Sequence, residues 1–108
     1  MKTISEYAKE IQQFNNERNW GQYHNPKDVA IALMIEAGEI LEHFRFKHEA
    51  KNKEELAEEI ADVFIYLLLL ADKSEINIDE WFNKKMEKNR TKYPVEKFYG
   101  QNKKYNEV

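Results

Sequence analysis

Two acidic pairs, Glu36-Ala37-Gly38-Glu39 and Glu59-Ile60-Ala61-Asp62, interrupt the two most apolar stretches of this chain. Each pair has the three-residue spacing that places both side chains on one helix face, on adjacent turns. Two such helices packed side by side would converge four carboxylates on a small volume. Ionised groups set against apolar surface are costly unless they are paired or bound to a metal. The arrangement therefore calls for a cation. A hard, oxygen-only donor set points to magnesium or manganese, with the remaining coordination positions open to water and to substrate phosphates.

Helical periodicity supports an inward orientation. At about 100° per residue, Glu36 falls in the middle of the sector occupied by Val29, Leu33 and Ile40, while Glu39 lies toward its edge beside Ala32 and His43. On the second segment Glu59, Asp62 and Tyr66 form one stripe bordered by Val63, Leu69 and Leu70. Any single one of these could be an ordinary surface carboxylate of an acidic protein. Two pairs in matching apolar settings are harder to dismiss, because charged residues rarely face a core.

The 108 residues suggest one domain, long enough for a core and small enough to gain from self-association. There is no cysteine, which removes disulfides, thiolate metal sites and cysteine nucleophiles, and fits a reducing cytoplasm. The beginning, Met1 to Glu6, lacks the apolar core of a secretion signal, so the protein is expected to remain in the cytoplasm. The apolar run Val63 to Ala71 is closed by Asp62 and Asp72 and is far too short to cross a bilayer, which needs roughly 20 residues. It reads as a core helix. Being apolar nearly all round, it must sit centrally or contribute to a subunit interface, so a homodimer or homotetramer is expected.

Charge is unevenly spread. Residues 1–83 carry 9 basic against 17 acidic side chains, whereas 84–108 carry 8 against 3. The basic end, with Tyr93, Phe98, Tyr99 and Tyr105, could attract phosphates or act as a nucleic-acid arm. The acidic body opposes a polyanion, so nucleic acid is not the expected partner.

Four helices and no strand are expected. Thr3-Ile4-Ser5-Glu6 has the form of a capping box, opening a helix that runs to about Asn19. Trp20 to Asn25 should be a loop. Asn25 and Pro26 then start a second helix reaching about Phe46. A polar link leads to a start near Asn52 or Lys53 and a third helix ending about Lys73, and Asn77-Ile78-Asp79-Glu80 opens a fourth that ends before Pro94. Residues 95–108 are expected to be an irregular tail behind a domain of residues 1–94. Gly38 inside the second helix costs about 1 kcal/mol relative to alanine, so a close neighbouring helix or ligand is expected there.

The ordered set Glu36-x-x-Glu39 and Glu59-x-x-Asp62 resembles the metal signature of the MazG-like all-α nucleoside triphosphate pyrophosphohydrolases. The wider context is similar to their dCTP pyrophosphatase branch: Phe14 to Trp20, then His24-Asn25-Pro26, then Glu58 to Leu67, then Lys85, Asn89 and Tyr93-Pro94. The resemblance implies a four-helix bundle whose subunits associate through apolar faces. It implies hydrolysis of a nucleoside triphosphate to monophosphate and pyrophosphate, with magnesium, or manganese in its place, held by Glu36, Glu39, Glu59 and Asp62. It further implies that Trp20, Phe46 and Tyr66 contact the base, with His24 nearby, and that Lys85, Asn89 and Arg90 or Lys92 contact phosphate or sugar. This chain departs from the pattern at Phe46, where a Trp is familiar, and in its short link between helices two and three. Both leave the base open.

Three other readings compete. A di-iron bundle needs two Glu-x-x-His motifs, and the chain has none. Sibling pyrophosphohydrolases act on dUTP, other dNTPs or phosphoribosyl-ATP, and sequence patterns separate these poorly. A non-catalytic helical oligomerisation module would have no need of four inward carboxylates. His24 could merely bond the backbone near Pro26, Trp20 could be packing at a helix end, and Lys85, Asn89 and Arg90 could be a solvated basic helix end that complements the helix dipole.

Overall fold

The computed structural model describes residues 1–50 and 52–102, and among them every regular element is helical. The elements are α1 (Ile4–Glu17), a 3₁₀ turn (Trp20–Tyr23), α2 (Pro26–Glu42), α3 (Lys53–Lys73), α4 (Ile78–Lys92) and a single turn, α5 (Val95–Phe98). The protein is all-α. None of its helices is long and apolar enough to cross a membrane, among the described residues.

Each long helix begins where a side chain satisfies backbone N–H groups that have no partner inside the helix. The capping box is present: the Glu6 N–H donates to Thr3 Oγ1 at 3.1 Å while the Thr3 N–H donates to Glu6 Oε1 at 3.3 Å. Asn25 Oδ1 accepts from the Asp28 N–H at 2.9 Å, with Pro26 in the first turn. Asn52 Oδ1 accepts from both Glu54 and Glu55, at 3.0 and 3.1 Å, and Asn77 Oδ1 accepts from Glu80 at 3.2 Å. Caps of this kind contribute about 1 kcal/mol each.

Helix ends depart further from expectation than starts. α1 stops at Glu17, and Asn19 adopts a left-handed φ of 54°, a conformation asparagine tolerates better than most residues. α2 stops at Glu42, short of the expected Phe46. Beyond it the chain tightens into three-residue turns, with the Phe44, Arg45 and Lys47 N–H groups donating to Leu41, Glu42 and Phe44 carbonyls. Phe46 itself has φ 62°, a strained value for an aromatic residue.

The chain forms two compact units, Met1–Ile76 and a second beginning at Asn77. In the first, α3 packs chiefly along α2 and also against α1. Tyr7 meets Phe64 edge-on at 5.6 Å, and further along both helices Gln12 Nε2 donates to Asp72 Oδ1 at 2.8 Å. Both positions advance together, so α1 and α3 run in the same direction. His43 near the end of α2 meets Glu59 early in α3, whereas the earlier Glu36 feels the later Asp62. α2 is therefore antiparallel to α3, giving an up-down-up arrangement with α3 as the shared element. The hydrophobic side chains fully buried among the described residues are Val29, Leu68, Leu69 and Ala71. Three of the four come from the apolar run of α3, as its composition requires. Ile31, Met34, Ile35 and Leu41 of α2 and Ile60, Ile65 and Leu67 of α3 stay exposed.

In the second unit, α4 carries Arg90 and Lys92 in its last turn, where positive charge complements the helix dipole. The stretch after Pro94 is not wholly irregular. Val95–Phe98 makes one helical turn, since proline at a helix start gives up no needed N–H, and Phe98 packs edge-on against Tyr93 at 5.0 Å. The rest of the expected tail, including Tyr105, lies outside the described residues.

Gly38 corrects another expectation. A Cβ built there meets nothing within 4 Å, so no close neighbour among the described residues accounts for the glycine. Gly38→Ala should accordingly stabilise the isolated chain by up to about 1 kcal/mol through helix propensity alone. Urea unfolding would show this as a higher midpoint with unchanged slope, and a lower midpoint would mean that the position is crowded in solution.

Candidate active site

The α2–α3 seam gathers acid from both helices. Glu36 and Glu59 are half-buried, while Glu39 and Asp62 are exposed. Burial pushes the Glu36 carboxyl above its ordinary 4.5, and the negative charges of Glu39, Asp62 and Glu59 push it further in the same direction, as does a hydrogen bond with Glu39. All four carboxylates thus lie within electrostatic reach of one point. They are not drawn together into a coordination shell: among the described residues no three acidic, imidazole or thiol side chains stand so that they could hold a metal ion.

Glu59 is the least satisfied of the four. Its Oε2 is buried and has no hydrogen-bond partner among the described residues. It faces His43 Nε2 at 2.5 Å, a close contact whose alignment is not that of a hydrogen bond, and the imidazole is almost wholly buried at 8% exposure. Sequence reasoning did not single out His43 as a site residue. The available signal was its place one turn beyond Glu39, on the same face of α2.

Beside the acidic seam is a cavity of about 550 Å³ between α1, the 3₁₀ turn and α3. That size falls within the range of small-molecule sites. Its walls are mainly apolar and aromatic. Tyr7, Ile11 and Phe14 come from α1, Trp20 and His24 from the turn region, and Phe64, Ile65, Tyr66 and Leu69 from α3, with Asn15, Glu10 and Asp62 as polar points. Trp20 packs edge-on against Phe14 at 5.7 Å, so it both ends α1 and lines the cavity. His24 Nδ1 is buried without a hydrogen-bond partner, so that nitrogen does not bond the local backbone near Pro26. Asp62 belongs to the cavity wall and to the acidic group around Glu36.

Of the residues singled out from sequence, the structure brings Trp20, His24, Tyr66 and Asp62 to this cavity and sets Glu36, Glu39 and Glu59 along the adjoining seam. Phe46 does not line the cavity; it is 94% exposed beyond the end of α2. Lys85, Asn89 and Arg90 lie on α4 in the second unit, where Arg90 pairs with Glu87 at 2.6 Å. The sequence reading missed Tyr7, Ile11, Asn15 and Phe64 as cavity residues. Tyr7 and Ile11 share the apolar stripe of α1, but a stripe does not distinguish a cavity wall from a packed interface.

An all-α chain with an acidic two-helix seam beside an aromatic cavity of small-molecule size is the frame into which the comparisons with known proteins fit. A model described as the MazG-like family matches residues 31–108, and the chain belongs to that family. It is similar to dCTP pyrophosphatase 1 of Rattus norvegicus, 33% identical over 115 aligned positions that cover 98% of this chain and 68% of the relative. The Homo sapiens dCTP pyrophosphatase 1 is 30% identical over the same shares.

Because Glu36 holds its proton more tightly in the folded chain than in the unfolded one, folding takes up a proton between pH 4.5 and the raised value. Its contribution to stability is complete below the unfolded pKa and is lost as pH rises through the folded pKa. The metal-free protein should therefore lose stability across that window relative to Glu36→Gln, and the variant should be the more stable at neutral pH. Urea midpoints of both proteins from pH 4 to pH 8 measure this, and parallel pH profiles would contradict the crowding of charge at Glu36.

Proposed function

We propose that the chain is a magnesium-dependent nucleoside triphosphate pyrophosphohydrolase of nucleotide-pool house-cleaning. Its proposed substrate is dCTP or a modified or non-standard dNTP, and its products are the monophosphate and pyrophosphate. The observation that carries this reading is the placement of Asp62, which stands in the wall of an aromatic cavity and also beside the carboxylates of α2. The similarity to dCTP pyrophosphatase 1 supports the choice of base. An enzyme of this kind would work in the cytoplasm, where the nucleotide pool lies.

Glu36, Glu39, Glu59 and Asp62 would hold the metal. The donor set fits a hard divalent ion: it is all oxygen, it is crowded enough to push the Glu36 carboxyl above its ordinary range, and Glu59 leaves a buried oxygen without a hydrogen bond among the described residues. Magnesium, when bound, neutralises the triphosphate and lowers the pKa of a water. The protein supplies the remainder. One carboxylate of the group accepts the proton of the attacking water. Trp20 and Tyr66 present ring faces to a base, for which stacking is worth roughly 1–3 kcal/mol in single-strand binders. His24 Nδ1 offers an unused polar contact at the same wall. For Lys85, Asn89 and Arg90 the assignment to phosphate or sugar rests on the resemblance and on the strength of charge-assisted bonds to phosphate oxygens. Phe46 keeps its assignment to the base from the resemblance alone.

The bared apolar faces of α2 and α3 support assembly as a homodimer or homotetramer. Met34 and Leu41 are 70% and 73% exposed, and neighbours on both helices are similarly open. Contiguous apolar surface of this kind is seldom left to solvent. Sedimentation at micromolar concentration should give a multiple of the 13.0 kDa chain, and a lone monomer would contradict this.

Pyrophosphate release from a panel of dCTP, 5-methyl-dCTP, dUTP, dATP, dGTP and phosphoribosyl-ATP tests the activity. Glu59→Gln should lose at least about 100-fold, as is usual when a group that stabilises the transition state electrostatically is removed. Trp20→Ala should lower kcat/KM for the best nucleotide by about 5- to 150-fold and spare the poor ones. Release from no nucleotide, together with no magnesium- or nucleotide-dependent rise in Tm, would make the chain an oligomerisation module.

A further inference from the structure

We propose that His43 is a positioning residue for the metal site, fixing Glu59 through Oε2 so that Oε1 is presented to the cation. The proposal rests on the reading of Glu59 as a metal ligand. His43 caps the C-terminal end of α2, four residues after Glu39, and its side chain is turned into the α2–α3 seam with 8% exposure. Its Nε2 stands 2.5 Å from Glu59 Oε2, the oxygen that is buried and makes no hydrogen bond.

A buried carboxylate oxygen needs a donor, and Nε2 can supply one either in the neutral tautomer that carries the proton there or in the imidazolium. A direct ligand role fits the spacing less well. Donor atoms around a magnesium-sized ion at 2.0–2.1 Å in octahedral geometry stand about 3 Å apart, farther than this contact. The contact is also a little shorter than a charge-assisted N–H···O bond of about 2.7–2.9 Å, so the pair has only to open slightly and align to make one. Carboxylates that bind metals are commonly held by such outer partners, and loss of the partner typically weakens the metal by 10- to 100-fold. Without the imidazole, Glu59 would be free to rotate out of the seam, away from Glu36 and Asp62, whose charge repels it.

Mn²⁺ binding to the nucleotide-free protein, followed by the electron paramagnetic resonance of free Mn²⁺, reads the role without turnover. His43→Leu should weaken Mn²⁺ by about 10- to 100-fold and raise the magnesium concentration for half-maximal activity, with kcat at saturating magnesium little changed. His43→Gln, whose amide N–H can reach the same oxygen, should restore most of the affinity. Should His43→Leu unfold the chain, His43→Asn, too short to reach Glu59, carries the same expectation. Wild-type Mn²⁺ affinity in the His43→Leu or His43→Asn variant, or a His43→Gln variant as weak as they are, overturns the proposal while the metal site stands. Unchanged affinity in Glu59→Gln removes Glu59 as a ligand and overturns both.

Discussion

Repulsion among four carboxylates at the α2–α3 seam is the constraint on which the rest of this structure turns. Glu36 is half-buried and surrounded by the charge of Glu39, Asp62 and Glu59, so its proton is held above the ordinary range. No packing gain is evident in such an arrangement, and an apolar pair of similar volume would serve stability as well or better. Its presence in the best-packed helix pair of the chain points to chemistry. Across the same seam Glu59 faces a buried imidazole, that of His43.

The hydrophobic arrangement is equally one-sided. α3 buries Leu68, Leu69 and Ala71 between its neighbours, and Val29 closes the core from α2. Around this small core the remaining apolar residues of both helices are open. A domain of this length buries a modest fraction of its surface even when well packed, and here the helices that carry the acids also carry uncovered Met34, Ile35 and Ile60. The acidic side chains and the open apolar ones thus belong to the same two helices. Gly38, with open space where a side chain would sit, lies on that same stretch of α2.

Helix existence and helix starts were legible because their causes are local. Thr3, Asn25, Asn52 and Asn77 each bond an N–H two or three residues on, and nothing distant is needed for that. Stops were less legible. The backbone turns left-handed at Phe46, an outcome no residue in the stretch announces. The carboxylates were legible because charge at fixed spacing in an apolar run contradicts its surroundings. The cavity was only half legible: Trp20, His24 and Tyr66 were found through the family's pattern, whereas Tyr7, Ile11 and Phe64 have side chains that would suit a packed core just as well, and Asn15 reads as an ordinary polar helix residue.

By itself, the sequence determined four capped helices, an all-α fold, an apolar third helix and two acidic pairs each confined to one helical face, because all of these follow from contacts within a few residues. Only the tertiary structure decided that α1 and α3 run in one direction with α2 against them, that the acids of two helices share one field, and that an aromatic cavity opens at Asp62. It also set His43 against Glu59. Those facts depend on which faces meet across 16 to 60 residues of chain, and helical periodicity fixes a face without naming its partner.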